Sequence, residues 1–289
     1  MITGNFEYHR PGTVDEVVAL LREHGDEGRV VAGGHSLIPM MKLRLAAPSH
    51  LIDLQGLDAL KGLGEDGGDI VIGAMVTQTE VLDSGLLADK CPILGEAAAL
   101  IADPQVRNCG TIGGNVANGD PGNDMPAVMM ALNASYTLTG PGGERTVAAR
   151  EFYEAAYFTA RKDDELLTGI RIPVPAAGHG HAYEKLKRKV GDYATAAAAV
   201  ILTMDGGRCA SAAITLTNVG QTPLYAEAAS QALAGTSVDA DAIANAAGLA
   251  KGIAEPVADM HGSVEYRTEM AGVMTARAIE AALARAQAK

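Results

Sequence analysis

The first third of the chain combines one amphipathic segment with short apolar runs. Thr13 and Glu16 have the spacing of a capping box, and the apolar residues that follow recur at helical intervals, which predicts a helix over 14–23. A β-branched run over 29–32 predicts a strand that ends at a pair of glycines. A second short strand is predicted over 50–54. This order of elements is typical of an α+β domain.

The middle of the chain is dominated by one long polar segment, residues 103–126. Gly, Asn, Asp or Pro occupies more than half of its positions, so we expect a loop, and loops of this length are usually functional or disordered. A strand is predicted before it, over 69–75, and a hairpin after it, over 135–147. Helices are predicted over four segments: 78–87, 92–102, 127–132 and 149–158.

The last third has a separate pattern. A strand over 166–173 closes the larger domain, and the Pro- and Gly-containing segment 173–180 is the predicted linker. Three strands are predicted after it, over 182–187, 194–205 and 209–219. Three alanine-rich helices follow, over 224–233, 240–253 and 263–286.

The net charge of the chain argues against some classes of ligand. The 289 residues contain 23 Lys and Arg against 35 Asp and Glu, a net charge of −12, which is the opposite of a nucleic-acid-binding surface. A phosphorylated ligand would therefore be held mainly by backbone N–H groups, for which the 34 glycines offer several candidate loops. No apolar run has the ~18 residues of a membrane span, and the first residues do not resemble a secretory signal, so we expect a cytoplasmic protein.

The sequence predicts neither a metal site nor a catalytic nucleophile. The three cysteines form no CxxC pair, which argues against both a disulfide framework and an iron–sulfur cluster held by this chain. His179 and His181 could share a strand face, but the sequence offers no third ligand near them. Turn chemistry accounts for Asp103, Asp120 and Asp124. We predict no metal ligand and no catalytic side chain.

Three glycine motifs are candidate phosphate-binding loops. The GxGxxG at 62–67 precedes a strand and carries two acidic residues, so it is interpreted as a surface turn. The segments Ala32–Ser36 and Thr111–Asn115 remain, and each alone is compatible with a simple tight turn. Two such loops in one acidic domain favour a dinucleotide, because its diphosphate has two phosphates to satisfy.

These two loops also carry a family resemblance. Residues 31–42 (VAGGHSLIPMMK) and 102–115 (ADPQVRNCGTIGGN) resemble the paired FAD diphosphate loops of the medium, flavoprotein subunit of the molybdenum hydroxylases, most closely the branch that oxidises carbon monoxide. The similarity continues through 119–126, 182–189 and 191–197. It is weakest over 234–262.

The resemblance implies a fold and a domain organisation. We expect an α+β protein with an FAD-binding domain of the vanillyl-alcohol-oxidase (PCMH) type in two subdomains, residues 1–55 and 56–177. A small C-terminal α+β flavoprotein domain, residues 178–289, would contain a three-stranded antiparallel sheet.

The resemblance also implies the cofactor-binding residues. They are Ala32, Gly33, Gly34, His35, Ser36, Thr111, Ile112, Gly113, Gly114, Asn115, Asp124, Lys185 and Tyr193. The two loops would bind the diphosphate, Asp124 would contact the ribose or adenosine side, and Lys185 and Tyr193 would lie towards the flavin. For Tyr193 the alternative is a half-buried strand residue without a role in binding.

The resemblance finally implies a function within a complex. A large subunit would oxidise the substrate at a molybdenum cofactor with copper, and a small subunit with two [2Fe-2S] clusters would pass electrons to FAD on this chain. A quinone or cytochrome would accept them. We expect a dimer of heterotrimers in the cytoplasm, with peripheral association at the inner face of the cell membrane.

Three other functions remain open from the sequence. The chain could serve another molybdenum hydroxylase that acts on a purine, an aldehyde or an N-heterocycle. It could be a self-sufficient flavin oxidase, which would need a general base of its own. It could also be a flavin-free scaffold that retains the glycine loops as turns.

Overall fold

The computed structural model describes residues 2–288, and its first segment is a three-stranded parallel sheet with one helix packed on it. The elements are β1 (Glu7–His9), α1 (Val14–His24), β2 (Gly28–Val31), α2 (Leu37–Lys42) and β3 (His50–Asp53). Strand β3 lies between β1 and β2. The predicted helix and both predicted strands are confirmed within one or two residues. The Thr13 side chain caps α1 by accepting the Glu16 N–H.

The second segment is a five-stranded antiparallel sheet with several short helices. Its elements are β4 (Leu63–Asp66), β5 (Asp69–Gly73), α3 (Gln78–Asp83), α4 (Gly85–Lys90), α5 (Ile93–Leu100), α6 (Pro104–Cys109), α7 (Ile112–Ala117), α8 (Asp124–Ala131), β6 (Ser135–Gly140), β7 (Gly143–Ala148), β8 (Tyr153–Ala155), β9 (Phe158–Thr159) and β10 (Leu166–Pro173). The strand order is β4–β5–β10–β6–β7, and β8 and β9 form a separate ribbon.

Three predictions for this segment are wrong in part. The expected loop over 103–126 contains α6 and α7, because the Asp103 and Thr111 side chains cap those helices. The expected helix over 78–87 is divided at Ser84, whose hydroxyl caps α4. The expected helix over 149–158 is a single 3-10 turn followed by β8 and β9.

The third segment is an antiparallel sheet covered by helices. Its elements are β11 (Gly180–Leu186), β12 (Ala196–Asp205), β13 (Arg208–Thr217), β14 (Leu224–Tyr225), α9 (Glu227–Leu233), α10 (Ala240–Gly252) and α11 (Val264–Gln287). The sheet has four strands rather than the expected three, because residues 224–225 pair with β13 before α9 begins. A side chain at Gly180 would overlap the Ala282 carbonyl, so small residues allow α11 to lie directly on the sheet.

Helix α8 joins the second and third segments. All eight of its residues are buried, and the Thr215 hydroxyl on β13 donates to the Ala127 carbonyl at 2.8 Å. Tyr183 and Ala197 of the third segment belong to the same hydrophobic core as the second-segment sheet. The second and third segments therefore share one hydrophobic core. Among residues 2–288, none of the helices has both the length and the hydropathy that a membrane span requires.

Candidate functional site

One cavity of about 590 Å³ lies where the three segments meet, a size within the usual range for small-molecule sites. Twelve of the thirteen residues that the sequence nominates contribute to its lining. The exception is Ile112, whose side chain is fully buried in the core of the second segment. The fold therefore brings together residues that are up to 161 positions apart, from Ala32 to Tyr193.

The first glycine loop presents unpaired main-chain donors. It connects β2 to α2, and the N–H groups of Gly33, Gly34, His35 and Ser36 donate to no protein acceptor within the described part of the chain. Gly34 has a φ of +73°, a conformation that glycine adopts readily. Successive N–H groups in such a turn form a concave site for an anion.

The second glycine loop differs, because its N–H groups are already engaged. Ile112 donates to the Val76 carbonyl at 2.8 Å, and Gly113 donates to the Ala74 carbonyl at 3.0 Å. The Thr111 hydroxyl accepts the Gly114 N–H, and its carbonyl accepts the Asn115 N–H. This loop forms the capped first turn of α7 and shapes the cavity wall.

Close packing explains two of the glycines. A side chain at Gly33 would overlap the Cys109 carbonyl, and one at Gly113 would lie 2.5 Å from the Ala74 Cβ. Gly33 therefore lets the first loop lie against Cys109 and Gly110, directly before the second loop. The two loops border the cavity as one unit.

A buried ion pair lies deeper in the cavity. Asp124, the first residue of α8, accepts from the Lys185 Nζ at 2.8 Å and from the Tyr183 hydroxyl at 2.5 Å. Burial raises the pKa of the Asp124 carboxyl, and the Lys185 charge opposes that rise. Since the two charged groups are in contact, Asp124 and Lys185 face the same part of the cavity.

Tyr193 lies at the edge of the cavity, in the loop between β11 and β12, and is 46% exposed. It is not a strand residue, so the alternative interpretation of Tyr193 is wrong on that point. Its ring lies on the main chain of Gly122, where a side chain would come within 2.8 Å of it. Desolvation, together with the nearby Asp120 charge, raises the pKa of Tyr193 to about 12, so the phenol keeps its proton at neutral pH.

Two described protein families match this chain. Residues 4–175 match the family described as the FAD binding domain in molybdopterin dehydrogenase. The chain belongs to that family. Residues 181–282 match a second family, the CO dehydrogenase flavoprotein C-terminal domain.

Individual members of these families are similar over their full length. The carbon monoxide dehydrogenase medium chain of Afipia carboxidovorans is 60% identical and covers 99% of this chain and 100% of its own. The corresponding chain of Hydrogenophaga pseudoflava is 48% identical, with 99% coverage of both. A crystal structure of the cyanide-inactivated Cu,Mo-CO dehydrogenase aligns with a TM-score of 0.98 at 60% identity, over 99% of this chain and 100% of that one.

The residues of the cavity fit FAD. The four unpaired N–H groups of the first loop suit a diphosphate, and an exposed aromatic ring at the cavity edge suits an isoalloxazine. The basic side chains of Arg29, Arg161 and Lys185 also reach the lining. The lining also contains Asp124, Asp163, Glu165 and Asp192, so its side chains carry no net positive charge and the unpaired main-chain N–H groups are the main donors for an anion.

Arg161 and Gln78 are two of the polar lining residues that were not predicted from the sequence. The side chain of Arg161 donates to the Lys162 and Glu165 carbonyls, and desolvation lowers its pKa. Gln78 begins α3 and is almost completely buried. Neither belongs to a motif, so only an alignment of homologues could have drawn attention to them.

A cluster of three histidines lies outside the cavity. One ring nitrogen each of His9, His24 and His50 lies within 4.8 Å of the others. The His24 and His50 rings are stacked at 3.7 Å and are parallel within 4°, so their lone pairs do not converge on a common point. His9 and His50 share a 3.0 Å hydrogen bond. We interpret the cluster as packing between α1 and the first sheet.

Proposed function

We propose that this chain is the FAD-carrying medium chain of a carbon monoxide dehydrogenase. In such a complex carbon monoxide is oxidised to CO2 at the Mo/Cu site of a large subunit, and electrons reach FAD through the iron–sulfur clusters of a small subunit. The single observation that carries this proposal is the 60% identity to the Afipia medium chain over 99% of this chain. Bound FAD would accept the electrons and deliver them to an external acceptor, a quinone or a cytochrome.

The residues of this chain would bind and orient the cofactor. Gly33 to Ser36 would hold the diphosphate through their main-chain N–H groups, while Thr111 to Asn115 would shape the adjoining part of the cavity wall. Asp124 and Lys185 would meet polar groups of the cofactor as one ion pair. Tyr193 would stack on the flavin or donate its hydroxyl proton in a hydrogen bond to the ring.

We propose the domain boundaries 1–55, 56–177 and 178–289 for this protein. The interval between the two family matches, residues 176–180, supports the last boundary. The first boundary is supported by the change from a parallel to an antiparallel sheet after β3. The two subdomains and the C-terminal domain would together enclose the cofactor.

An apolar surface beside Tyr193 would receive the small iron–sulfur subunit. Val190 is 82% exposed and Met260 is 76% exposed. The loops that carry them are linked, because the Arg188 guanidinium donates to the Met260 carbonyl at 2.9 Å. Exposed apolar residues at one site typically mark a protein interface. Docking there would place a partner close to the flavin end of the cavity.

The remaining features of the complex extend this proposal. We expect a dimer of heterotrimers in the cytoplasm, associated peripherally with the inner face of the cell membrane. Neighbouring copies of the trimer would supply the dimer contact. Both relatives are named medium chains, which supports the part of this proposal that places the chain in a complex with a larger and a smaller subunit.

Purification of the assembled complex tests the function. We expect it to contain FAD and to reduce a quinone analogue or dye when carbon monoxide is added, with bleaching of the flavin absorbance. A complex that oxidises a purine, an aldehyde or an N-heterocycle but not carbon monoxide would contradict the substrate. A complex from which denaturation releases no FAD would contradict the role of the chain itself.

A further inference from the structure

Gln78 is a buried amide fixed at the edge of the cavity. It is the first residue of α3, where Thr77 and Glu80 form a reciprocal capping box. Its N–H donates to the Gly110 carbonyl at 2.9 Å, and the Ile112 N–H donates to the Val76 carbonyl. This short antiparallel pairing holds Gln78 opposite Gly110, and Gly33 of the first loop lies against the same residue.

The side-chain amide of Gln78 has no partner in the protein. The side chain is 2% exposed and lines the cavity, and neither Nε2 nor Oε1 forms a hydrogen bond within residues 2–288. Buried amides are nearly always paired, because an unpaired donor or acceptor loses its hydration without compensation. An apolar side chain of similar size would avoid that loss.

We infer that Gln78 is an FAD-binding residue whose amide pairs with hydroxyl groups of the cofactor next to the diphosphate. This inference rests on the proposed function. The amide offers two N–H donors and one carbonyl acceptor, and a hydroxyl is the group that can both accept and donate. Phosphate oxygens only accept, so they would leave Oε1 unpaired. Gln78 lines the same cavity as the four unpaired N–H groups of the first loop, and its main chain is bonded to Gly110, against which Gly33 packs.

Two parts of FAD carry hydroxyls next to the diphosphate: the ribityl chain and the adenosine ribose. Both offer the same chemistry to the amide. FMN retains the ribityl chain, and ADP retains the ribose. Comparison of these two ligands therefore distinguishes the two sources.

The substitution Gln78→Met tests the inference, since it keeps an unbranched side chain of similar length and removes the amide. In the flavin-depleted complex we expect the FAD dissociation constant to rise at least tenfold, while the urea midpoint stays equal or increases. A parallel loss of FMN affinity assigns the ribityl chain, and a parallel loss of ADP affinity assigns the ribose. Gln105→Met, an exposed glutamine on α6 outside the cavity, is the matched control and should change neither quantity.

If Gln78 binds FAD, its replacement lowers FAD affinity without lowering stability. If Gln78 has only a structural role, its replacement lowers stability. A lower urea midpoint in Gln78→Met, or an unchanged FAD dissociation constant, would overturn the inference. Gln78→Leu provides a second apolar variant if the first does not assemble. If the unmodified complex itself fails to bind FAD, the proposed function fails instead, so the two failures are separable.

Discussion

The two glycine loops each contain a Gly-Gly pair in the sequence but differ in hydrogen bonding in the fold. In Ala32–Ser36 four successive N–H groups have no protein acceptor, whereas in Ile112–Asn115 all four N–H groups donate within the protein. The difference arises from what surrounds each loop. The first follows β2 and packs against Cys109 and Gly110 without hydrogen bonds from its N–H groups, while the second pairs with residues 74–76 and begins a capped helix.

From this contrast we propose that the first loop binds the cofactor and that the second loop stabilises the fold. Changes in the first loop should act mainly on cofactor affinity, because its donors are available to a ligand. Changes in the second loop and in the polar residues beyond it should act mainly on stability, because its donors and glycines already serve protein contacts.

The largest effect on FAD affinity is expected for Ser36→Asp. Ser36 is exposed, so the new carboxylate meets no steric obstacle and lies among the unpaired N–H groups. Repulsion between unit charges about 4 Å apart near a protein surface is roughly 4 kcal/mol, so FAD affinity should fall on the order of 100- to 1000-fold. Titration of the flavin-depleted complex with FAD measures it. Ser36→Asn is the uncharged control, and equal losses in both variants would contradict a role in anion binding.

The next effect is a pH-dependent loss of stability in Lys185→Met. Burial raises the pKa of Asp124 in the folded chain, and loss of the opposing Lys185 charge would raise it further. A carboxyl with a raised folded pKa stabilises the fold below its unfolded pKa, and this contribution is lost as the pH rises through the folded value. Breaking a buried pair typically costs about 3–5 kcal/mol, so we expect a loss of that size at neutral pH and a smaller one in acid.

Urea unfolding of the flavin-depleted complex at several pH values measures this loss. The double variant Asp124→Asn with Lys185→Met is the control, because it lacks the titrating carboxyl. Its stability should vary much less with pH. A pH-independent loss in the single variant would show that Asp124 does not titrate as the buried partner of Lys185.

A third prediction concerns Gly113→Ala in the second loop. The added methyl group would lie 2.5 Å from the Ala74 Cβ, and overpacking of this kind costs about 1–3 kcal/mol. The urea midpoint should fall, while the FAD affinity of the remaining folded protein should change only a few-fold. Gly95→Ala on α5 is the control, because no atom lies within 4 Å of its added Cβ. A large affinity loss without a stability loss would reverse the assignment of the two loops.

The smallest effect is expected for Thr111→Val, which removes the hydroxyl that accepts the Gly114 N–H. Loss of such a cap typically costs about 1 kcal/mol. Thr111→Ser retains the hydroxyl and should remain close to the original stability. Thermal unfolding of the flavin-depleted complex measures both variants. An unchanged midpoint in Thr111→Val would mean that the second loop does not depend on this cap.

The sequence predicted well those features that local chemistry determines. The Thr13 cap and the apolar spacing after it located α1, and the β-branched run located β2. The same reasoning failed over 103–126, where composition indicated a loop. Capping residues there begin two short helices, and Gly113 and Gly114 belong to the first turn of one of them.

Only those parts of the candidate site that form local sequence motifs could be predicted. The glycine loops were found because their pattern is local. The contact between Asp124 and Lys185 joins residues 61 positions apart, and it depends on how β11 packs beside α8. Gln78 and Arg161 reach the cavity through tertiary packing alone. No local pattern indicates whether a main-chain N–H is paired, so the difference between the loops required the fold.

Amide hydrogen exchange of the assembled complex, with FAD bound and after its removal, tests the central claim without any substitution. We expect the segment around Gly33–Ser36 to become strongly protected when FAD binds, because its N–H groups then gain acceptors. The segment around Ile112–Asn115 should be protected in both states. If protection instead increases only in the second segment, the diphosphate is held there and the account is wrong.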